Sequence, residues 1–557
     1  MSEIEVRLLS SLAKVLPDQV PAEPLNVTKI GALRGETVSF QVAYIYITDS
    51  FRSFAKLGVD ADAKLDISIR RVRYMPGSIS SNYQTDEGYV STKEGLYPDL
   101  LEPFDRGRLP LIPGVWQILW VSIDVPPHIE AGSYPLKICI ESLEGGYGVN
   151  AEITVDVIAK TLPPLEIPHT RWFHLDGLSS YYGVEVFSER HWEIVENFAA
   201  FAVKHGINTL LTPIHTPPLD TEIGGERLTT QLLDVTVKDS VYSFGFEKLE
   251  RWIKMCKRVG VEYFEIAHLF TQWGAKFAPK IMGVKDGVYT RLFGWDTDAT
   301  GSEYTNYLTQ MLPALTKKLS EYGIAEKTIF HISDEPSLEH FDTYASARKI
   351  VEPMLEGFKI VDALTNYDFY TKGVVSVPIP AVDHITPFLE GDVPELWCYY
   401  CCAQSFMVPN QFFMLPSYRN RILGVLLYKY DIAGFLHWGY NFYNCVHSVY
   451  PVNPFMTTDA DGTFPSGDAF IVYPGPDGQP LASLRLMVAQ EAFNDLRALR
   501  LLESLKGRDF VLSMIDEGLA MPVTFNQFPQ NEKYLLGLRE RVNHAIYTSE
   551  RECNVQK

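Results

Sequence analysis

Apolar and polar residues alternate along the first 165 residues, in short runs separated by turn signals. Runs of β-branched and aromatic residues with period two predict strands, and Gly or Pro turns between them predict a β-sandwich. The runs are LNVTKIGALRGETVSFQVAYIYI, KLDISIRRVRYM, VWQILWVSIDV, GSYPLKICIESL and AEITVDVIAK. The Pro-rich stretch TLPPLEIPHT comes next and predicts a linker.

From about residue 170 the pattern changes, because apolar runs now alternate with amphipathic stretches of helical period. Three of those stretches, HWEIVENFAAFAVKHG, FEKLERWIKMCKRVG and YTNYLTQMLPALTKKLSEYG, end on the Gly that closes many helices. The eight strand-like runs are RWFHLDG (171–177), INTLLTP (207–213), YFEIAHL (263–269), TIFHISDE (328–335), KIVDALT (359–365), AVDHITP (381–387), LWCYYC (396–401) and IAGFLHWG (432–439).

Eight β/α units of this total length predict a (β/α)8 TIM barrel. A doubly wound sheet is the alternative, but no Gly-rich phosphate loop follows the first run. The last hundred residues begin with a loop-rich stretch and continue with two helical patterns, LASLRLMVAQEAFNDLRALRLLESL and NEKYLLGLRERVNHAIYTSERE. We therefore expect an α/β chain with a β-sandwich domain over 1–165, a catalytic barrel over 166–450 and a C-terminal loop and helices packing on the barrel over 451–557.

Charge and hydropathy indicate which partners the protein does not bind. The chain carries 49 basic and 69 acidic residues, and a net charge of −20 excludes a binder of nucleic-acid phosphates. Its aromatic content of 13% suits sugar-stacking platforms and apolar cores equally well. No apolar run is long enough to span a membrane, and the N-terminus lacks the pattern of a signal peptide. We expect a cytoplasmic protein without a membrane partner.

The seven cysteines are odd in number and mostly scattered, which is typical of free thiols in a reducing compartment. Cys398, Cys401 and Cys402 are closely spaced, and a zinc site would need a second pair, which Cys445 and His447 could supply. Because Cys398 lies in a strand-like run, we expect neither a metal nor another cofactor.

The carboxyl ends of the strands face the active site of a TIM barrel, so the strand pattern also predicts a site. Polar and aromatic residues collect at these ends. The candidates for substrate binding are His174, Asp176, His268, Asn366, His384, Trp397, Tyr399, Trp438 and Tyr440. Aromatic residues of a barrel strand are as often core as platform, and alternation prevents Tyr399 and Tyr400 from both pointing inward.

Asp334 and Glu335 form an adjacent pair of carboxylates at the end of the fourth apolar run. Neighbouring residues of a strand point to opposite faces, so both enter one pocket only at a strand end or a bulge. The alternative is structural, because Asp-Glu-Pro-Ser could cap a helix that starts near Leu338.

Glycoside hydrolysis usually needs two carboxylates that flank the scissile bond. The seventh strand ends in Tyr-Tyr-Cys-Cys, and Glu395 precedes that strand, so the usual nucleophile is missing. In substrate-assisted catalysis the 2-acetamido group of the sugar attacks instead, and the enzyme supplies an acid and a carboxylate that orients the acetamide. The adjacent pair fits that division, whereas Asp383 would be the partner of Glu335 in a conventional mechanism.

FHISDEPS at 330–337 resembles the catalytic motif of glycoside hydrolase family 123, the β-N-acetylgalactosaminidases. The C-terminal segment, with Gly467-Asp468, Tyr473-Pro474-Gly475 and Arg485 in that order, and the N-terminal GETVSFQVA and PPHIEAGSYPLKI resemble the same group. The resemblance implies that Asp334 stabilises the oxazolinium-forming acetamide and that Glu335 is the general acid/base. Phe493-Asn494-Asp495-Leu496-Arg497 departs from the family pattern, which indicates a divergent branch.

The expected function is hydrolysis of a terminal β-linked N-acetylhexosamine, GalNAc, from a small oligosaccharide or glycoside. The sugar would stack on Trp397 and Trp438. Its hydroxyls would be bound by His268, Asn366 and His384. The acetamide carbonyl would be bound by Tyr399 or Tyr440. Two alternatives stay open: a glycosidase on a non-acetamido sugar with separated carboxylates, and a non-catalytic sugar-binding barrel.

Overall fold

The computed structural model describes residues 3–21, 28–49, 51–104 and 107–555, with side chains up to residue 549. Of the predicted free thiols, that of Cys553 lies outside this range, and the other six cysteines are unpaired.

The N-terminal region is rich in β-structure and forms two five-stranded sheets. The first sheet has the order β1-β3-β8-β5-β6 and the second the order β2-β10-β9-β4-β7. Alternate residues of both sheets, such as Phe40, Val121, Ile140 and Val155, share one apolar core. The strands are β1 Glu3–Ser10, β2 Lys29–Arg34, β3 Thr37–Ile47, β4 Ser53–Ala61, β5 Asp66–Gly77, β6 Gly95–Pro103, β7 Arg108–Leu111, β8 Gln117–Asp124, β9 Gly132–Ser142 and β10 Gly148–Thr161.

The remainder of the chain contains short strands and all the described α-helices. The strands are β11 His169–Arg171, β12 Thr209–Thr212, β13 Asp234–Lys238, β14 Val241–Gly245, β15 Tyr263–Ile266, β16 Ile281–Lys285, β17 Val288–Phe293, β18 Thr328–Phe330, β19 Lys359–Leu364, β20 Val377–Pro380, β21 Trp397–Tyr399, β22 Gly434–His437, β23 Val472–Pro474 and β24 Pro480–Ala482. The helices are α1 Leu175–Tyr182, α2 Glu189–Lys204, α3 Glu247–Val259, α4 Ser302–Glu321, α5 Phe341–Val351, α6 Asp368–Thr371, α7 Thr386–Glu390, α8 Ser417–Lys429, α9 Leu484–Lys506, α10 Arg508–Asp516 and α11 Glu532–Val555.

Eight parallel strands form a barrel-like sheet in the order β20-β19-β18-β15-β12-β11-β22-β21. A parallel bridge between Ala381 and Tyr399 brings its two edges together. Inward-facing residues, among them Leu211, Val361 and Leu436, fill the interior, and most of the helices pack outside. The mixed α/β class, the N-terminal β-rich region and the barrel-like sheet are therefore confirmed.

The two long insertions of the sequence build a separate small sheet. Strands β13 and β14 follow β12, strands β16 and β17 follow β15, and the four pair in the order β14-β13-β16-β17. The loops that lead into these strands lie at the carboxyl end of the barrel.

Two of the predicted barrel strands are displaced along the chain. The first ends at Arg171, because Leu175 already begins helix α1, whereas the prediction extended it to residue 177. The sixth is Val377–Pro380, and the predicted run 381–387 instead forms a turn and the start of helix α7. The sequence pattern did not indicate this strand because it contains Pro378 and Pro380, and Pro is uncommon within sheets.

Helix α9 joins the C-terminal segment to the barrel. The ring of Phe493 on α9 stacks on His169 of β11, with the centroids 3.8 Å apart. A short helix, α10, which the sequence pattern did not predict, separates α9 from α11. Within the described ranges, no helix combines the length and the apolar character needed to cross a bilayer.

Candidate active site

A cavity of about 150 Å³ opens at the carboxyl ends of the barrel strands. Its lining combines three carboxylates, of which two are adjacent in the chain, with a set of aromatic side chains and two thiols. The lining residues are Trp172, Leu219, Asp220, Gln272, Trp273, Asp334, Glu335, Ala363, Tyr399, Cys401, Cys402, Leu436, Trp438 and Phe464.

The backbone at the end of β18 explains how two adjacent carboxylates reach one cavity. The strand ends at Phe330, and Glu335 has a φ of 43°, in the left-handed region that non-glycine residues rarely adopt. Neighbouring elements hold this turn: Trp273 N–H donates to the Asp334 carbonyl at 2.9 Å, and Glu335 N–H donates to the Ala363 carbonyl at 3.1 Å. The alternation that would separate the pair is thus broken. The short helical turn that follows has Ser337, not the pair, at its cap position.

The pair is electrostatically coupled. Burial and the charge of Glu335 raise the pKa of Asp334 well above its usual range. Burial also raises the pKa of Glu335, opposed by a hydrogen bond from the Tyr399 phenol and reinforced by the charge of Asp383. Two carboxyls with raised pKa values in one cavity can retain a proton at neutral pH, which a general acid requires.

A buried polar network lies in the barrel interior beside the pair. His331 donates to Glu265 at 2.6 Å and faces Asp362 at 3.4 Å through its other ring nitrogen. Although burial opposes its charge, hydrogen bonds to Asp362 and Glu265 raise the pKa of His331 to about 10. Glu265 also accepts from Trp172 Nε1 at 2.9 Å, so the network fixes one wall of the cavity.

One group in this network has the composition of a metal site. Ligand atoms of His268, His331 and Asp362 lie within 4.8 Å of one another. Among the described residues, neither ring nitrogen of His268 has a hydrogen-bond partner. A divalent cation here would have to replace the proton with which His331 bridges its two carboxylates.

Two of the predicted substrate-binding residues lie in the cavity with Asp334 and Glu335. Tyr399 faces the interior and donates its phenol proton to Glu335, while Tyr400 packs outward against Phe435. Trp438 is half-buried, and its indole N–H donates to Asp468 Oδ2 at 2.8 Å.

His174 and Asp176, which were predicted at the end of the first strand, lie beside the cavity but do not line it. Asp176 forms a buried pair with Arg227, with contacts of 2.8 and 2.6 Å. His174 lies between Arg227, at 3.1 Å, and the Trp438 carbonyl, at 2.9 Å. Together they position the Trp438 backbone.

Five other predicted residues do not line the cavity, for different reasons. His268 is buried beneath it, and its ring stacks on His331 at 4.4 Å. Trp397 is buried at the start of β21, where Gly434 makes room: a Cβ there would lie 2.2 Å from the indole. Tyr440 faces outward and donates to the Phe198 carbonyl at 2.9 Å.

Asn366 and His384 lie on the rim. Asn366 Oδ1 accepts from Asp368 N–H at 2.9 Å at the start of α6. The exposed His384 faces Asp383 Oδ1 at 2.8 Å.

The cavity also contains residues that the sequence reasoning did not select. Trp172 faces the cavity from the position directly after strand β11. Asp220, Gln272 and Trp273 belong to the insertion loops, and Gln272 Oε1 accepts from Asp220 N–H at 2.6 Å. Nothing in the sequence indicated which side chains of these loops turn inward.

A cavity with paired carboxylates at the carboxyl end of a parallel barrel is the arrangement of many barrel glycosidases. The sequence profile of the glycoside hydrolase 123 catalytic domain matches residues 172–502. The chain belongs to glycoside hydrolase family 123, which confirms the resemblance of its motifs. No curated protein sequence matches the chain significantly.

One solved structure agrees with this assignment at the level of the fold. A family 123 glycoside hydrolase from Clostridium perfringens, described for glycolipid glycan hydrolysis, matches with a TM-score of 0.74 at 14% identity over 100% of both chains. A β-galactosidase-like protein from Bacteroides fragilis has a TM-score of 0.32 at 9% identity, over 87% of this chain and 62% of its own. A Parabacteroides merdae β-glucuronidase has a TM-score of 0.32 at 10% identity, over 88% and 52% respectively.

Proposed function

We propose that the protein is a β-N-acetylhexosaminidase that releases terminal β-linked GalNAc by substrate-assisted, retaining catalysis. The observation that carries the proposal is the composition of the cavity. Asp334 and Glu335 lie in it side by side, and the end of β21 holds Tyr399, whose phenol binds Glu335, instead of a carboxylate nucleophile.

Each carboxylate has a role in this reaction. Glu335 donates a proton to the leaving oxygen while the acetamide carbonyl of the sugar attacks the anomeric carbon. Asp334 accepts a hydrogen bond from the acetamide N–H, which stabilises its carboxylate form and favours the proton on Glu335. Glu335 then acts as the base for the water that opens the oxazolinium intermediate.

The size of the cavity supports an exo-acting enzyme. At about 150 Å³ it is smaller than the roughly 300–1,000 Å³ of pockets for drug-sized ligands. We therefore propose that it receives one terminal sugar, flanked by Trp172, Trp273 and Trp438. The substrate would be a small glycoside or, as for the similar Clostridium perfringens protein, a glycolipid glycan. A cytoplasmic location stays a prediction.

A panel of aryl glycosides tests the proposal. We expect hydrolysis of aryl β-GalNAc, inhibition by a thiazoline mimic of the intermediate, and a loss of at least 100-fold in kcat for Asp334→Asn and Glu335→Gln, the scale of general acid–base catalysis. Glu326→Gln is the matched control, since this exposed carboxylate lies just before the same strand at the opposite end of the barrel. Activity that the thiazoline does not inhibit would exclude substrate assistance. Sugar binding without any turnover would favour the non-catalytic alternative.

A second candidate uses Glu335 and Asp383 as separated carboxylates on a non-acetamido sugar. The charge of Asp383 reaches Glu335, and Asp383 Oδ1 accepts from Gln404 at 3.1 Å on the same rim. If this candidate is correct, Asp383→Ala abolishes hydrolysis and Asp334→Ala does not. The first proposal predicts the reverse.

A further inference from the structure

Two thiols that are adjacent in the chain lie in the wall of the cavity. Cys401 and Cys402 follow strand β21, and both are half-buried and free. Cys398 of β21 packs outward among the helices, whereas Cys401 packs against the interior cluster that includes Tyr399. Both thiols line the same cavity as the carboxylate pair.

The loop after β21 holds Cys401 in place. Its Sγ donates to Gln404 Oε1 at 3.2 Å, and its backbone N–H donates to the same oxygen at 2.9 Å. Cys402 is the next residue and lines the same cavity, so both sulfurs face one space.

The surroundings disfavour reactions of one thiol alone. The neighbouring Cys402 thiol, burial and the charge of Glu335 raise the pKa of the Cys401 thiol. The thiolate is the form that attacks alkylating agents, so these reagents should react slowly. A ligand suited to the pair would bind both sulfurs at once and carry a basic atom that removes both protons. A trivalent arsenoxide has both properties.

We propose that Cys401 and Cys402 form a dithiol site for trivalent arsenicals, and that occupation of this site closes the catalytic cavity. Two S–H bonds and the bond between arsenic and its oxygen break, and two As–S bonds form. The oxygen leaves with both protons as water, so no oxidant or reductant is needed. Binding is independent of the proposed function, whereas loss of hydrolysis rests on it.

Intact-mass measurement with phenylarsine oxide tests the binding. We expect the mass of the folded wild-type chain to increase by the mass of one phenylarsenic group minus that of two hydrogen atoms. 2,3-Dimercaptopropanol should remove the group and an equal thiol concentration of 2-mercaptoethanol should not. Cys401→Ser and Cys402→Ser should each lose the adduct, and Cys139→Ser and Cys445→Ser, which alter cysteines away from the cavity, should keep it. No adduct on the wild type, or an adduct that survives Cys402→Ser, would overturn the proposal.

Hydrolysis of the aryl glycoside tests the closure of the cavity. We expect one equivalent of phenylarsine oxide to reduce wild-type activity at least tenfold and to leave Cys402→Ser unaffected. An adduct on a fully active enzyme would disprove the closure. If the wild type shows no hydrolase activity before treatment, the proposed function fails while the mass measurement still decides the dithiol site.

Discussion

At the scale of single residues, Glu335 combines an unusual backbone with a specific set of contacts. A left-handed φ of 43° costs a non-glycine residue on the order of 1–3 kcal/mol. The hydrogen bond from its N–H to the Ala363 carbonyl and that from the Tyr399 phenol to its carboxylate offset this cost. The strained conformation brings two sequence neighbours into the same cavity, which regular strand geometry forbids.

Tyr399→Phe tests whether the Tyr399 phenol lowers the pKa of Glu335. Because the Tyr399 hydrogen bond lowers the pKa of Glu335, its loss should raise that pKa and move the alkaline limb of the kcat/KM profile to higher pH. The activity should fall about 10- to 100-fold, the equivalent of a charged hydrogen bond of about 1.5–3 kcal/mol. Tyr440→Phe, a buried phenol outside the cavity, is the control and should leave the profile unmoved. An unshifted profile for Tyr399→Phe would contradict this role.

Asp334→Asn should stabilise the protein while it removes activity. The pKa of Asp334 is raised in the folded state by burial and by the charge of Glu335, so the folded protein binds more protons than the unfolded chain. Wild-type stability therefore falls as the pH rises above the unfolded pKa, whereas Asn does not titrate. We expect a gain on the order of 1 kcal/mol at pH 8 that shrinks toward pH 4.

Urea unfolding of the wild type, Asp334→Asn and Glu326→Gln at several pH values measures this gain. A gain that was constant with pH, or one that Glu326→Gln reproduced, would show that the charge of Asp334 is not its cause.

The sequence pattern pointed to the adjacent carboxylates of the cavity better than to the walls of the cavity. Asp334 and Glu335 could be found because an acid pair that ends an apolar run is locally visible. Trp273 could not, since its direction depends on the path of an insertion loop. The buried positions of Trp397 and Tyr440 follow from packing with Gly434 and helix α2, which no local pattern reveals.

At the scale of elements, the long helices agree with the sequence pattern and the shortest strands do not. Helices α2, α3 and α4 begin and end within about two residues of the predicted stretches, because an amphipathic period and a terminal Gly both define them. Strand β11 has three residues and strand β20 has two prolines among four, so neither contains a periodic signal. Their positions are set by pairing with β12, β22 and β19.

Gly424→Ala tests the contact between helices α8 and α9. A Cβ at Gly424 would lie 1.8 Å from the Ala492 carbonyl oxygen, so the two backbones would have to separate. We expect a loss of about 1–3 kcal/mol or more in the free energy of unfolding, the range of overpacked sites. Gly95→Ala is the control, because nothing lies within 4 Å of a Cβ there. Equal unfolding midpoints for the two variants in urea would contradict the close contact.

At the scale of the whole molecule, the N-terminal region and the barrel form one unit around the site. The segment between β5 and β6 bonds to the rim: Tyr89 donates to the Ser405 carbonyl at 2.6 Å, and Asp86 accepts from Met407 N–H at 2.7 Å. Trp120 of β8 shares an apolar cluster with Phe493 of α9. These contacts join residues hundreds of positions apart, which explains why the sequence pattern could suggest the parts but not their docking.

Arg485 is the buried charge at this junction. Its guanidinium donates to both oxygens of Asp99 on β6, at 2.8 and 3.0 Å, and to the Gly467 and Phe470 carbonyls at 2.6 and 2.8 Å. The residues that the family resemblance singled out around Gly467 and Arg485 thus form one network. The network also anchors the segment whose Asp468 binds the Trp438 indole.

Arg485→Met should destabilise the folded protein by about 3–5 kcal/mol, because Asp99 would remain buried without its countercharge. The double variant Arg485→Met/Asp99→Asn should recover part of the lost free energy of unfolding, since it leaves no isolated charge. Arg258→Ala, which breaks the ion pair with Glu196 at the surface, is the control and should cost no more than about 1 kcal/mol. Urea unfolding monitored by tryptophan fluorescence compares these three variants with the wild type. If the double variant were no more stable than Arg485→Met, the loss would come from the freed Gly467 and Phe470 carbonyls instead of the unpaired Asp99.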